Sequence, residues 1–161
     1  MPRSVDAAML ADLGAASAEA CFLLELDFEG ATQYLTNAGV TVSTPAGAED
    51  WNGHTWTAVG GAISCGGTGE RWEPGSAMRL GLSAVDPSLL ALILQLQYRG
   101  RRAKLWWAHW DRAAGTVLSK PLLLFSGNLN DAFDVSHQQN ADGSGTMTIE
   151  TRVSERVSDV G

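Results

Sequence analysis

The segment 104–111, KLWWAHWD, constrains this chain more than any other. Successive side chains of a strand point to opposite faces, which puts Trp106 and Trp110 on one face and Leu105 and Trp107 on the other. A strand apolar on both faces has to be covered twice, by the chain's own core or by a partner. A second segment makes a similar demand. Asp86-Pro87 opens a predicted helix, with an Asp cap and proline at its first position, and Gly100 supplies the stop. Along 86–99, Leu89, Leu90, Leu92, Ile93, Leu94 and Leu96 occupy nearly the whole circumference, so this helix is expected to be buried on more than one side. Each leucine stabilises by roughly 1.5–3 kcal/mol when removed from water.

The remaining periodicities are mostly those of strands. Ser4 caps a short predicted helix within 1–16, with Val5, Met9 and Leu13 on one side and Gly14 near its end. In 21–28, Phe22, Leu24 and Leu26 alternate with Leu23, Glu25 and Asp27, and 33–36 follows as a partner across Glu29-Gly30. Asn52-Gly53 predicts a type I′ hairpin over 51–56, with Trp51 opposite His54 and Glu49 opposite Trp56. Further strands are expected between the glycine pairs at 60–61 and 66–67, and over 78–85, 104–111, 122–125, 127–135 and 146–153. The expectation is one domain over 1–161, with its core at 20–156. Its class is α+β dominated by antiparallel sheet, a β-sandwich or barrel carrying one buried helix and a short N-terminal one.

Composition narrows the functional classes. A net charge of -7 argues against a nucleic-acid surface, which needs cations to displace phosphate counterions. The apolar stretch 89–96 falls well short of the ~20 residues of a membrane helix, and no apolar signal segment follows Met1, so cytoplasmic synthesis without membrane insertion is expected. The charge is uneven. Residues 1–98 hold three basic and eleven acidic side chains (-8), and 99–161 hold eight and seven (+1), an asymmetry that can help one copy or partner recognise another.

No catalytic motif is present, and His54, His109 and His137 lack ligand spacing. Cys21 and Cys65 are expected to be buried free thiols, so neither metal nor cofactor is anticipated. The basic cluster at 99–104, with Arg99, Arg101 and Arg102, reads as a solvated turn or as a contact for an acidic neighbour. Trp51, Trp56, Trp106 and Trp110 read as core or interface anchors. The alternative is a tryptophan-rich carbohydrate-binding β-domain whose indoles stack on sugar rings.

Several segments together resemble a family of phage tail-tip and hub proteins. They are 22–28 (FLLELDF), 34–37 (YLTN), 51–58 (WNGHTWTA), 82–90 (LSAVDPSLL), 98–101 (YRGR) and 121–127 (PLLLFSG), in that order. Relatives occur in gene-transfer agents and, more distantly, include the lambdoid minor tail protein L. The resemblance implies a non-enzymatic virion subunit at the tail tip, made in the host cytoplasm. It implies a homo-oligomeric ring, a trimer favoured and a hexamer possible, around the channel through which DNA passes. Its neighbours would be a distal tail or tail-tube protein, a central hub or fibre protein and the tape-measure protein. Leu89, Leu92, Ile93, Leu96, the four tryptophans and the three arginines are then the expected subunit contacts. The cysteine-rich iron–sulfur region of protein L has no counterpart here, so that cofactor is not carried over.

Overall fold

A computed structural model describes residues 7–12, 18–59, 63–67, 77–83, 88, 91, 95, 99–129, 134–139, 141–142 and 145–155. In chain order the elements are α1 (Ala7–Asp12), β1 (Ala18–Phe28), β2 (Ala31–Thr36), β3 (Val42–Ser43), β4 (Thr55–Ala58), β5 (Ile63–Gly67), β6 (Ala77–Ser83), β7 (Arg102–Asp111), β8 (Thr116–Val117), β9 (Leu122–Leu129), β10 (Asp134–Gln139) and β11 (Gly145–Glu155).

The strands run β1-β2-β4-β3-β8-β7, and β7 pairs back onto β1, which closes six of them into a barrel. Pairing is antiparallel except at β2–β4 and β3–β8. The closure follows from the length of β1 and β7, which pair from Ala18↔Asp111 to Leu26↔Ala103. Beyond the barrel the sheet continues through β9, β11, β6 and β5.

Alternation along the two long strands separates two cores. Cys21 and Leu23 of β1 and Trp106, Ala108 and Trp110 of β7 point into the barrel, where they meet Val42, Trp56 and Val117. Leu24, Leu26 and Phe28 of β1 and Ala103 and Leu105 of β7 point outward. They pack with Leu80, Leu82, Phe125, Leu129, Ile149 and Val153 of the sheet formed by β9, β11 and β6. The double cover demanded by 104–111 is therefore supplied within the chain. The fold is a six-stranded barrel with a β-layer packed on one wall, rich in strand and mixed in direction.

Most predicted strands are present, with three adjustments. Glu29-Gly30 does form a two-residue connection, Phe28 pairing with Ala31 and Gly30 at φ +82°, but β2 begins two residues earlier than predicted. Asn52-Gly53 closes no two-residue hairpin. β4 pairs instead with β3, Val42 opposite Trp56, across a wide loop. That loop is held by side chains: Asn52 donates to the Pro45 carbonyl at 3.0 Å and accepts from the Glu49 amide at 3.1 Å, and the Thr44 hydroxyl bridges the His54 amide and carbonyl. The predicted strand 127–135 is divided between β9 and β10. Since β6 occupies one edge of β11, β9 and β10 lie in succession along the other.

The predicted N-terminal helix is represented by α1, which buries Met9 and exposes Leu10; Ser4, Val5 and Leu13 lie outside the described residues. Of the helix expected over 86–99, Ser88, Ala91, Gln95 and Arg99 are described. The first three are helical and exposed, and their spacing sets them on one stripe facing solvent, whereas Arg99 already belongs to a turn.

Candidate functional site

The indoles expected at a subunit contact are mostly interior. Trp56, Trp106 and Trp110 retain 0%, 4% and 1% of their exposure, all inside the barrel. Trp56 meets Trp106 edge-to-face at 5.7 Å and Tyr34 at 5.1 Å, and Tyr34 stacks on His54 at 4.0 Å. This corrects the expectation for these three residues. A six-stranded barrel leaves an interior that side chains alone must fill, and large rings fill it. None of the three has a face left for a neighbour or a sugar ring. Trp51 is half-buried at the barrel's flank, its indole N–H donating to Glu49 Oε2 at 2.6 Å. Leu89, Leu92, Ile93 and Leu96 lie outside the described residues.

Of the three arginines, Arg101 and Arg102 meet at the other end of the barrel. Here β2, β1, β7 and β9 run past the short strands β3, β4 and β8, so an open four-stranded platform extends from the closed part. Cross-strand register arranges two polar rows on its front. Tyr34, Glu25, Lys104 and Ser126 form one. Thr32, Asp27, Arg102 and Asn128 form the next, Arg102 being the position that continues the β1–β7 ladder opposite Asp27. The back of the same strands carries Leu24, Leu26, Leu105, Phe125 and Leu129 of the outer core, so the platform is anchored by packing. Arg99 and Gly100 form the turn that leads into β7, with Gly100 at φ +75°.

Lys104 organises the charges. Its stem lies under the loop, its ammonium sits 5.7 Å from the centre of the Trp106 ring, and it donates to Asp50 Oδ2. That hydrogen bond holds the Asp50 carboxyl below its ordinary range. Lys120 does the same for Glu49, at 2.7 Å, helped by the Trp51 N–H. Glu25, the cross-strand partner of Lys104, makes no hydrogen bond through its carboxylate among the described residues. Burial pushes its pKa up, and the attraction of Lys104 offsets this only in part.

Four ion pairs are present among the described residues: Asp27–Arg101 at 3.7 Å, Asp50–Lys104, Glu19–Arg112 at 2.9 Å and Glu49–Lys120. Every one joins an acid from the acidic half of the sequence to a cation from the other half. Much of the asymmetry read as a recognition signal between copies is thus matched inside one chain.

The two cysteines differ in setting. The Cys21 thiol is buried, its pKa raised to about 11 by burial against a lowering hydrogen bond with Thr36, so it holds its proton at neutral pH. Cys65 is exposed on β5, which corrects the expectation of burial; in the sequence its neighbours Gly66 and Gly67 give no packing partner. Among the described residues no group of three or more His, Cys, Asp or Glu can hold a metal ion.

A last feature was not legible in the sequence. β10 is exposed at all six positions, Val135 among them at 38%, and its ladder is with β11. No protein-family model matches the chain, and no curated protein matches it.

Proposed function

We propose that this protein is a structural, non-enzymatic subunit of a phage tail tip. It docks into a ring between the tail tube or distal tail protein and the central hub or fibre protein, with DNA passing only in transit. The order of the six segments quoted above carries the assignment to tails. The structural observation that supports an assembly role is β10. Ordering a strand costs about 1–2 kcal/mol per residue in backbone entropy, and β10 has no fully buried side chain to offset it. Pairing with β11 is its compensation on one edge, and such a strand is suited to receive a neighbouring chain along the other. A head-to-tail contact of this kind closes into a ring when the rotation allows.

The experiment is to express the chain carrying Val135→Asp and His137→Asp in a phage lacking its own copy, then to purify and image the particles. The wild-type chain is expected in the purified virion and the double variant is expected to be excluded from it, with tails left incomplete. A wild-type chain that stays monomeric and is missing from the particle overturns the proposal, as does normal incorporation of the variant.

A further inference from the structure

The open end of the barrel carries chemistry that an assembly role does not use. A cleft of about 560 Å³ lies there, lined by Glu25, Asp27, Thr32, Arg101, Arg102 and Asn128 around the Gly100 turn. Its size suits a small ligand, which pockets of roughly 300–1,000 Å³ usually hold. Its wall is charged, so an apolar occupant would strip water from ions and return nothing.

The charges are arranged by sign. Glu25 and Asp27 stand two apart on β1, on the same face. Arg101 and Arg102 stand beside them at the start of β7. These groups are incompletely matched to one another. Lys104, the cation directly across from Glu25, is turned to Asp50, which leaves the Glu25 carboxylate half-buried without a hydrogen bond among the described residues. Arg102 is exposed and has no ion pair among them. Arg101 approaches Asp27 only to 3.7 Å, beyond a good charge-assisted hydrogen bond. Both signs of charge line the one cleft, within reach of a single small molecule. A ligand that answers both sides must itself carry two opposite charges.

We propose that this cleft binds a small zwitterion, its ammonium group held by Glu25 and Asp27 and its anionic group by the guanidinium forks of Arg101 and Arg102. Thr32 and Asn128 add neutral hydrogen bonds at the rim. The outer core behind the platform keeps these side chains on fixed strands, and a binding site needs such backing. The proposal is independent of the tail assignment, because it concerns the isolated chain.

The test is an amide-shift titration of the full chain with glycine, β-alanine and γ-aminobutyrate, with butyrate and butylamine as singly charged controls. Saturable shifts centred on Thr32, Gly100, Arg102 and Asn128 are expected for at least one zwitterion and for neither control. Glu25→Gln and Arg102→Gln should each weaken that Kd about tenfold, equivalent to about 1.4 kcal/mol, with the near-ultraviolet dichroism of the barrel indoles unchanged. Absence of saturable shifts at millimolar zwitterion overturns the proposal. So do equal shifts with the controls, or an unchanged Kd in both variants.

Discussion

The two cores of this protein are built differently. The barrel interior is filled by a few large groups, Trp56, Trp106 and Trp110 with Leu23, Val42 and Val117, whereas the outer core is almost wholly aliphatic, with Phe28 and Phe125 its only buried rings among the described residues. The difference follows from the walls. A closed ring of hydrogen-bonded strands fixes the volume inside it, so the contents must match that volume. Even a polar atom is sacrificed to the fit: Trp110 Nε1 is buried without a hydrogen-bond partner among the described residues. Two packed sheets can approach each other by a fraction of an ångström, so branched aliphatic chains of several shapes will serve. Closure trades tolerance for definition.

The largest expected effect breaks this comparison most directly. Trp56→Ala should destabilise at the upper end of the ~3–5 kcal/mol range for a buried aromatic, because the barrel cannot contract around the void. Leu80→Ala, in the outer core, should cost less, at the lower end of ~2–5 kcal/mol, and leave the dichroism of the Trp56–Trp106 pair intact. Urea denaturation of both variants checks the order, and a reversed order removes the argument from closure. Next in size are the charges over the barrel. Asp50 and Glu49 are held low, so their contribution is full above about pH 4 and is lost as pH falls through their folded values. Asp50→Asn should therefore lower the thermal midpoint at pH 7 and shrink the acid-induced loss. Glu25 has the opposite sign. Its folded pKa is raised, so it destabilises above that value and is relieved as pH falls toward the unfolded value of about 4.3. Glu25→Gln should raise the midpoint at pH 7 and flatten the profile on the weakly acid side. The smallest effect belongs to β10, where Val135→Asp should change stability by no more than about 0.5 kcal/mol. A larger change would mean that β10 belongs to the folding unit and not to its contacts.

The sequence made the outer architecture readable where alternation was strong. β1, β6 and β7 announce themselves by period-two patterns, and the two-faced apolar character of β7 correctly requires cover on both sides. What it leaves open is who provides the cover, since a core and a partner ask for the same side chains. Trp106 and Trp110 are therefore legible as buried but not as barrel contents. The Asn52-Gly53 signal was overridden by the Thr44 and Asn52 side chains, which bind backbone across the loop and carry no periodicity. β3 and β8, two residues each, are too short to leave a pattern. β10 has none to leave, because alternation records burial on one face and all six positions of β10 are exposed. The charged platform was half visible: the alternation of Glu25 and Asp27 was plain, but their meeting with Arg101 and Arg102 depends on the closing pair β1–β7.

That closing pair also governs how the molecule comes apart. β7 is a party wall, its one side plastered with the barrel's indoles and its other with the leucines of the adjoining room. Neither room can be emptied while the wall stands, and neither survives its removal. Two cores should accordingly melt in a single transition, with the slowest-exchanging amides along β7 and not at the centre of either core.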